Sequence, residues 1–90
     1  MTKAEIVAEI VKATGIEKST VMAVVEEFME SVKEGMIAGN DIFLRGFGTF
    51  LIKERAQKVA RNISKNTSVI IPAHRIPAFK PAKSFAEKIR

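Results

Sequence analysis

Hydrophobic positions recur at helical spacing along the N-terminal part of the chain and at strand spacing beyond Asn40. Thr2-Lys3-Ala4-Glu5 fits a capping box, in which a hydroxyl and a carboxylate three residues later each satisfy an orphan backbone amide. Behind it Ile6, Val7, Ile10, Val11 and Ala13 or Thr14 form one apolar stripe, and Gly15 supplies the stop. From about Glu17 to Ala38 a second stripe carries Val21, Val24, Val25, Phe28, Met29, Val32, Met36 and Ile37. It predicts a helix about 30 Å long at ~1.5 Å per residue, ended by Gly39-Asn40. Two amphipathic helices joined by so short a connection read as a helical hairpin in which each buries one face.

Past Asn40 the period drops to two. Ile42-Phe43-Leu44 and Thr49-Phe50-Leu51-Ile52 are strand-favouring, and Arg45-Gly46-Phe47-Gly48 between them holds two glycines for a tight connection. The second strand runs on into Lys53-Glu54-Arg55-Ala56-Gln57-Lys58-Val59-Ala60-Arg61, which has few large apolar groups. Asn62-Ile63-Ser64-Lys65-Asn66 reads as a turn, and Thr67-Ser68-Val69-Ile70-Ile71 returns. A long hairpin whose outer part cannot bury itself should project from the body, and Pro72 agrees, since proline is excluded from central ladders. After Pro77 and Pro81, the residues Ala82, Phe85, Ala86 and Ile89 fall at i, i+3, i+4 and i+7, which predicts a short amphipathic C-terminal helix. No internal repeat or linker interrupts the chain, which is read as one module.

Composition changes this picture in two ways. Ninety residues form one domain at most, burying only roughly 60 to 65% of what the unfolded chain exposes. Without cysteine there is no disulfide or thiolate site to stabilise so thin a core, which points to oligomerisation. The net charge of +5 is also unevenly spread. Residues 1–44 hold four Lys/Arg against eight Asp/Glu, a net of −4, whereas residues 45–90 hold eleven against two, a net of +9. An acidic scaffold is thus joined to a basic half suited to a polyanion. The first residues lack the apolar core of a secretory signal, and no apolar run approaches the ~18 residues of a membrane span, so a soluble, intracellular protein is expected.

Candidate catalytic chemistry is sparse. His74 is the lone histidine, beside Arg75 in an expected strand, and reads as a surface or packing residue. Glu26, Glu30 and Glu34 share a helix face, but no histidine or second carboxylate helix completes a metal site, so a solvated face is expected. Gly46-Phe47-Gly48 lacks the third glycine of a nucleotide fingerprint. No catalytic residue, metal or cofactor is expected. The arm carries more: at period two, Lys53, Arg55, Val59, Arg61 and Ile63 share one face, cationic along its length and apolar at the tip. Such side chains neutralise phosphates, and an apolar tip is either a wedge between base pairs or an ordinary residue covered by its own hairpin. Lys3 and Lys83 sit near helix N-termini, where a cation opposes the macrodipole unless an external anion joins it; plain surface lysines beside Glu5 and Glu87 are the alternative. Phe47, Phe50, Phe79 and Phe85 fall where strands and last helix converge and read as core.

The stretch from Gly46 to Lys83 resembles the bacterial histone-like HU family and its relative, integration host factor. The resemblance is carried by Gly46-Phe47-Gly48-Thr49-Phe50, Arg55, Arg61-Asn62, Ile71, Pro72-Ala73, Pro77-Ala78-Phe79-Lys80 and Lys83, and the likeness covers essentially the whole chain. It implies an α+β fold: an N-terminal helical hairpin (1–40), a three-stranded antiparallel sheet (41–80) with a protruding ribbon arm at about 53–75, and a C-terminal helix (81–90). It also implies an intertwined homodimer, or a heterodimer with a paralogue, whose arms embrace double-stranded DNA through the minor groove and bend it. Lys3, Lys80 and Lys83 then contact flanking phosphates, while Arg55, Lys58 and Arg61 line the arm. With the remaining basic-half residues, the expected DNA contacts are Lys3, Arg45, Lys53, Arg55, Lys58, Arg61, Asn62, Ile63, Lys65, Arg75, Lys80 and Lys83, and the expected dimer core is Phe28, Val32, Phe47, Phe50 and Phe79. One departure stands out: where most of the family places an intercalating proline after Arg-Asn, this chain has Ile63, also an apolar wedge of suitable size. The resulting expectation is a nucleoid-associated, cytoplasmic architectural protein with little sequence preference and no enzymatic activity. A sequence-selective bender like integration host factor, or a module whose basic ribbon binds an acidic protein or membrane, are the alternatives.

Overall fold

The computed structural model describes residues 1–62 and 67–89. The chain divides into two compact units, Met1–Glu34 and Gly35–Arg90.

The first unit is helical. Helix α1 (Lys3–Thr14) begins at Thr2, whose Oγ1 accepts the Glu5 N–H at 3.3 Å, and ends where the Gly15 N–H donates to the Val11 carbonyl at 2.8 Å. Both ends are those the sequence pattern predicts. Helix α2 (Lys18–Ile37) starts within this unit and ends in the next. Its end is a Schellman pair: the Asn40 N–H donates to the Gly35 carbonyl and the Gly39 N–H to the Met36 carbonyl, both at 3.0 Å. The pair requires Gly39 at φ 95°, a conformation that a Cβ would strain. Val7 and Val21 are the only buried hydrophobic side chains among the described residues. Of the rest of the α2 stripe, Val25, Val32 and Met36 are half-buried, whereas Val24 is 63% and Phe28 45% exposed.

Among its described residues the second unit holds five strands, β1 (Ile42–Leu44), β2 (Gly48–Arg55), β3 (Lys58–Asn62), β4 (Thr67–Ile71) and β5 (His74–Pro81), and the short helix α3 (Lys83–Ala86). Strands β1, β2 and β5 form a three-stranded antiparallel sheet in that order, and β3 and β4 form a separate two-stranded ribbon. Because β5 is an edge strand, Pro77 and Pro81 fit where a missing N–H is tolerated. The β1–β2 turn closes with the Phe47 N–H on the Leu44 carbonyl at 2.9 Å. A Cβ on Gly48 would lie 2.5 Å from both the Lys80 carbonyl oxygen and the Phe79 ring, so only glycine lets β2 approach β5 there. Phe47 joins the rings of Phe79 (5.0 Å), Phe85 (5.7 Å) and Phe50 (6.4 Å), and its carbonyl accepts the Ala82 N–H at 2.8 Å. The expected convergence of phenylalanines is therefore present.

Two expectations need correction. The strand read as continuous from Lys53 to Ile63 is interrupted: the β2–β5 ladder stops at Arg55 opposite His74, and the β3–β4 ladder starts at Lys58 opposite Ile71. Ala56-Gln57 thus faces Pro72-Ala73, and Pro72 has no N–H to give a ladder. The C-terminal helix is shorter than expected. Beyond Glu87, whose N–H still donates to the Lys83 carbonyl at 3.0 Å, the bonds run i to i−3, from Lys88 to Phe85 (3.1 Å) and Ile89 to Ala86 (3.2 Å), and Ile89 is exposed instead of completing the apolar stripe.

Candidate nucleic-acid interface

Strand register decides which basic side chains share a surface. Thr49 pairs with Lys80, Lys53 with Ile76 and Arg55 with His74. Cross-strand partners point to the same side, so Lys53, Arg55, His74 and Lys80 share one sheet face, and all four are exposed. The opposite face carries Phe50 with Phe79, Ile52 with Pro77 and Glu54 with Arg75. Arg75, grouped with the DNA contacts by its charge, is therefore set apart from Lys53, Arg55 and Lys80. Its guanidinium reaches toward Gly39 at the end of α2, within 4.0 Å of where a Cβ there would stand.

Near the β1–β2 turn the sheet opens into a cleft of about 450 Å³ whose walls bring Arg45, Lys80 and Lys83 together with Phe43 and Thr49. Three cations from separate stretches of sequence thus meet in one depression, and no Asp or Glu lines it. Phe43 was absent from the sequence-based candidates because Ile42-Phe43-Leu44 reads as one apolar run. Its period-two position was the available signal: Ile42 and Leu44 are half-buried while Phe43 is 77% exposed.

At the other end of the face, the break between sheet and ribbon forms a second cleft of about 480 Å³, lined by Glu54, Arg55, Ala56, Ala73, His74 and Arg75. His74 Nδ1 lies 3.0 Å from the Pro72 carbonyl oxygen and spans one side of the break. Along the ribbon, Lys58 is exposed, Arg61 pairs in register with Ser68 and Asn62 with Thr67. Ile63 and Lys65, with the tip turn, lie outside the described residues.

Ion pairing separates the two halves of the chain. Among the described residues the ion pairs are Lys3 with Glu26 and Lys33 with Glu30 (2.6 Å), both within the helical unit. Two carboxylates of the Glu26, Glu30 and Glu34 stripe are thereby matched by lysines. The Glu30 hydrogen bond and charge raise the Lys33 ammonium above its ordinary pKa, with desolvation opposing and Glu26 and Glu34 adding less. Lys3, expected to meet phosphate, is held by Glu26 and must leave it to do so. Arg45, Lys53, Arg55, Lys58, Lys80 and Lys83 have no carboxylate within ion-pair distance among the described residues. Of the expected dimer-core side chains, Phe47, Phe50 and Phe79 form one aromatic cluster in which Phe47 and Phe79 remain 45% and 38% exposed; on α2, Phe28 is exposed and Val32 half-buried.

Known proteins resemble this chain over essentially its whole length. The family model for bacterial DNA-binding protein matches residues 1–90. The chain is 34% identical over 90 residues to DNA-binding protein HU of Thermus thermophilus, covering 100% of this chain and 93% of that protein. It is also 34% identical over 89 residues to integration host factor subunit alpha of Mannheimia succiniciproducens, covering 99% and 91% of the two chains. Among solved structures, it superposes on the Anabaena HU–DNA cocrystal structure with a TM-score of 0.91 at 35% identity, covering 99% of this chain and 97% of that one.

Proposed function

The chain belongs to the bacterial DNA-binding protein family, and from that premise we propose how its own residues carry out the work of an architectural protein that binds and bends double-stranded DNA. The observation that carries the proposal is the single sheet face on which Lys53, Arg55 and Lys80 lie, with the Arg45, Lys80 and Lys83 cleft at one end and the ribbon leaving at the other. None of these cations has a carboxylate partner among the described residues, so a phosphate backbone can take that place. Lys53 and Arg55 open the arm, Lys58, Arg61, Asn62 and Lys65 continue it along the minor groove, and Lys80, Lys83 and Arg45 hold the flank. Lys3 adds a contact by exchanging Glu26 for phosphate. Arg75 is assigned to the sheet and to the end of α2 rather than to DNA.

Affinity arises mainly from counterion release, which is blind to sequence, so binding shows little sequence preference and falls steeply with salt. Bending follows from an apolar wedge at each arm tip, the role assigned to Ile63. The functional unit is a dimer. A single chain leaves Phe28, Phe47, Phe79 and Val24 partly open, and two copies cover such faces together. The whole chain acts as one domain, its helices serving assembly and its basic half serving DNA, and the site of action is the cytoplasmic nucleoid. None of these roles calls for a reacting group, a metal or a cofactor.

End-to-end energy transfer on a short duplex tests the proposal. The wild-type protein shortens the end-to-end distance; Ile63→Ala reduces that shortening more than it reduces affinity. Equal bending by both proteins removes Ile63 from the mechanism, and no shortening by the wild-type protein contradicts the proposal itself. The 34% identity to an integration host factor subunit favours one second reading, preference for a particular site. Competition against random duplex separates the two, since a selective binder prefers its site by roughly 10³-fold or more.

A further inference from the structure

We propose that His74 is a proton-dependent phosphate contact at the border of sheet and ribbon, so that binding DNA draws a proton onto its imidazole near neutral pH. This role rests on the DNA binding proposed above and adds to the fixed charges of the arm one that is not fixed.

The interruption of the hairpin leaves the Pro72 carbonyl between β4 and β5, where neither ladder continues. His74 Nδ1 lies 3.0 Å from that oxygen. A carbonyl only accepts, so Nδ1 carries the hydrogen that joins them. The neutral ring then holds its lone pair at Nε2, which has no hydrogen-bond partner among the described residues. That lone pair repels a phosphate oxygen, and the opposite tautomer would turn a lone pair on the Pro72 carbonyl instead. Only the imidazolium donates from both nitrogens, to Pro72 and to a phosphate at once.

The surroundings of the ring place a phosphate within its reach. His74 is exposed and stands opposite Arg55 in register, on the face that also carries Lys53 and Lys80. Cross-strand partners have Cβ atoms about 5 Å apart, so a phosphate held by the Arg55 guanidinium also meets the imidazole. Glu54 and Arg75 border the same cleft but pair with each other in register on the opposite face. Ala56 and Ala73 complete the cleft and bring no charge. Lysine and arginine keep their charge near neutral pH, whereas histidine is the side chain that ordinarily changes charge between about pH 5 and about pH 8. Linkage is reciprocal: if the protonated ring holds DNA more tightly, bound DNA holds the proton more tightly. The base of the arm therefore grips DNA more firmly as pH falls.

The test titrates the full chain onto one short duplex at fixed salt from about pH 5 to about pH 8, read by fluorescence anisotropy. The wild-type affinity is expected to rise about tenfold toward the acid end as one phosphate contact per chain is added. His74→Gln, which cannot gain the charge, should stay near the alkaline wild-type affinity throughout, and His74→Lys, which never loses it, near the acid one. An α-amino group can titrate in the same range; both variants retain it, so the difference between profiles belongs to His74. Calorimetry near neutral pH in buffers of different ionisation enthalpy counts the protons directly. The wild-type protein should take up as much as about one per chain on binding, and His74→Gln should lose that uptake. A wild-type pH profile retained in His74→Gln, a His74→Lys that matches His74→Gln, or equal proton uptake by wild type and His74→Gln overturns the inference. Wild-type binding that is flat across this range overturns the His74 contact alone, whereas no binding of the duplex at any pH overturns the function on which it rests.

Discussion

The sheet body and the ribbon are parts of one long hairpin, yet their side chains are treated differently. The β2–β5 ladder runs through eight paired positions, and Phe47, Phe50, Phe79 and Phe85 gather on the body. The β3–β4 ladder has five, and its cross-strand pair Val59 and Ile70 stays 65% and 63% exposed. A two-stranded ribbon has only its own ladder to hold it, which is marginal in water. The body thus holds its own geometry, whereas the Val59–Ile70 pair of the ribbon is left exposed. Ala56-Gln57 opposite Pro72-Ala73 marks the border, where neither ladder continues.

Substitutions on either side of that border should separate stability from binding. The largest effect is expected at Gly48, where any Cβ meets the Lys80 carbonyl and the Phe79 ring of the neighbouring strand. Gly48→Val should cost about 3 kcal/mol or more, read as a lower urea midpoint at fixed protein concentration, because β2 and β5 must separate to admit it. Phe47→Ala removes the ring that joins three others and should cost about 2 to 4 kcal/mol by the same measurement. Val59→Ala in the ribbon should stay within about 0.5 kcal/mol. Comparable losses at Phe47 and Val59 would erase the distinction between body and ribbon. The smallest effect is expected at Glu26, whose removal frees Lys3. Glu26→Gln should raise duplex affinity by less than about fivefold and steepen its salt dependence, with stability changed by no more than about 1 kcal/mol.

Local signals were legible where one segment sufficed to specify the structure. Thr2 and Gly15 bound α1, Gly39-Asn40 ends α2, and the glycines around Phe47 mark the turn, because caps and turns depend on a few adjacent residues. Three features were hidden because they depend on pairing. The break in the arm needs Ala56-Gln57 and Pro72-Ala73 to face each other across the hairpin, and Pro72 by itself marks only one strand. Arg75 parts from Arg55 only once Glu54 is known to lie opposite it. Phe43 and Lys80, nearly forty residues apart, meet only through Thr49. Charge composition singled out the basic half as a surface for a polyanion, but it weighed every cation equally. The structure distinguishes Lys3, already matched by a carboxylate, from Lys53 and Arg55, which have none among the described residues.

The central claim is that the cations leading from the sheet into the ribbon carry the DNA. It is tested most directly by the slope of log K against log salt for the wild-type protein and for Lys53→Ala/Arg55→Ala, measured on one short duplex. Two cations lost from each of two chains should flatten the slope by up to about 4, at roughly 0.9 per phosphate contact, while the urea midpoint is unchanged. An unchanged slope with weaker binding would contradict the account, because it would place the phosphate contacts elsewhere on the molecule.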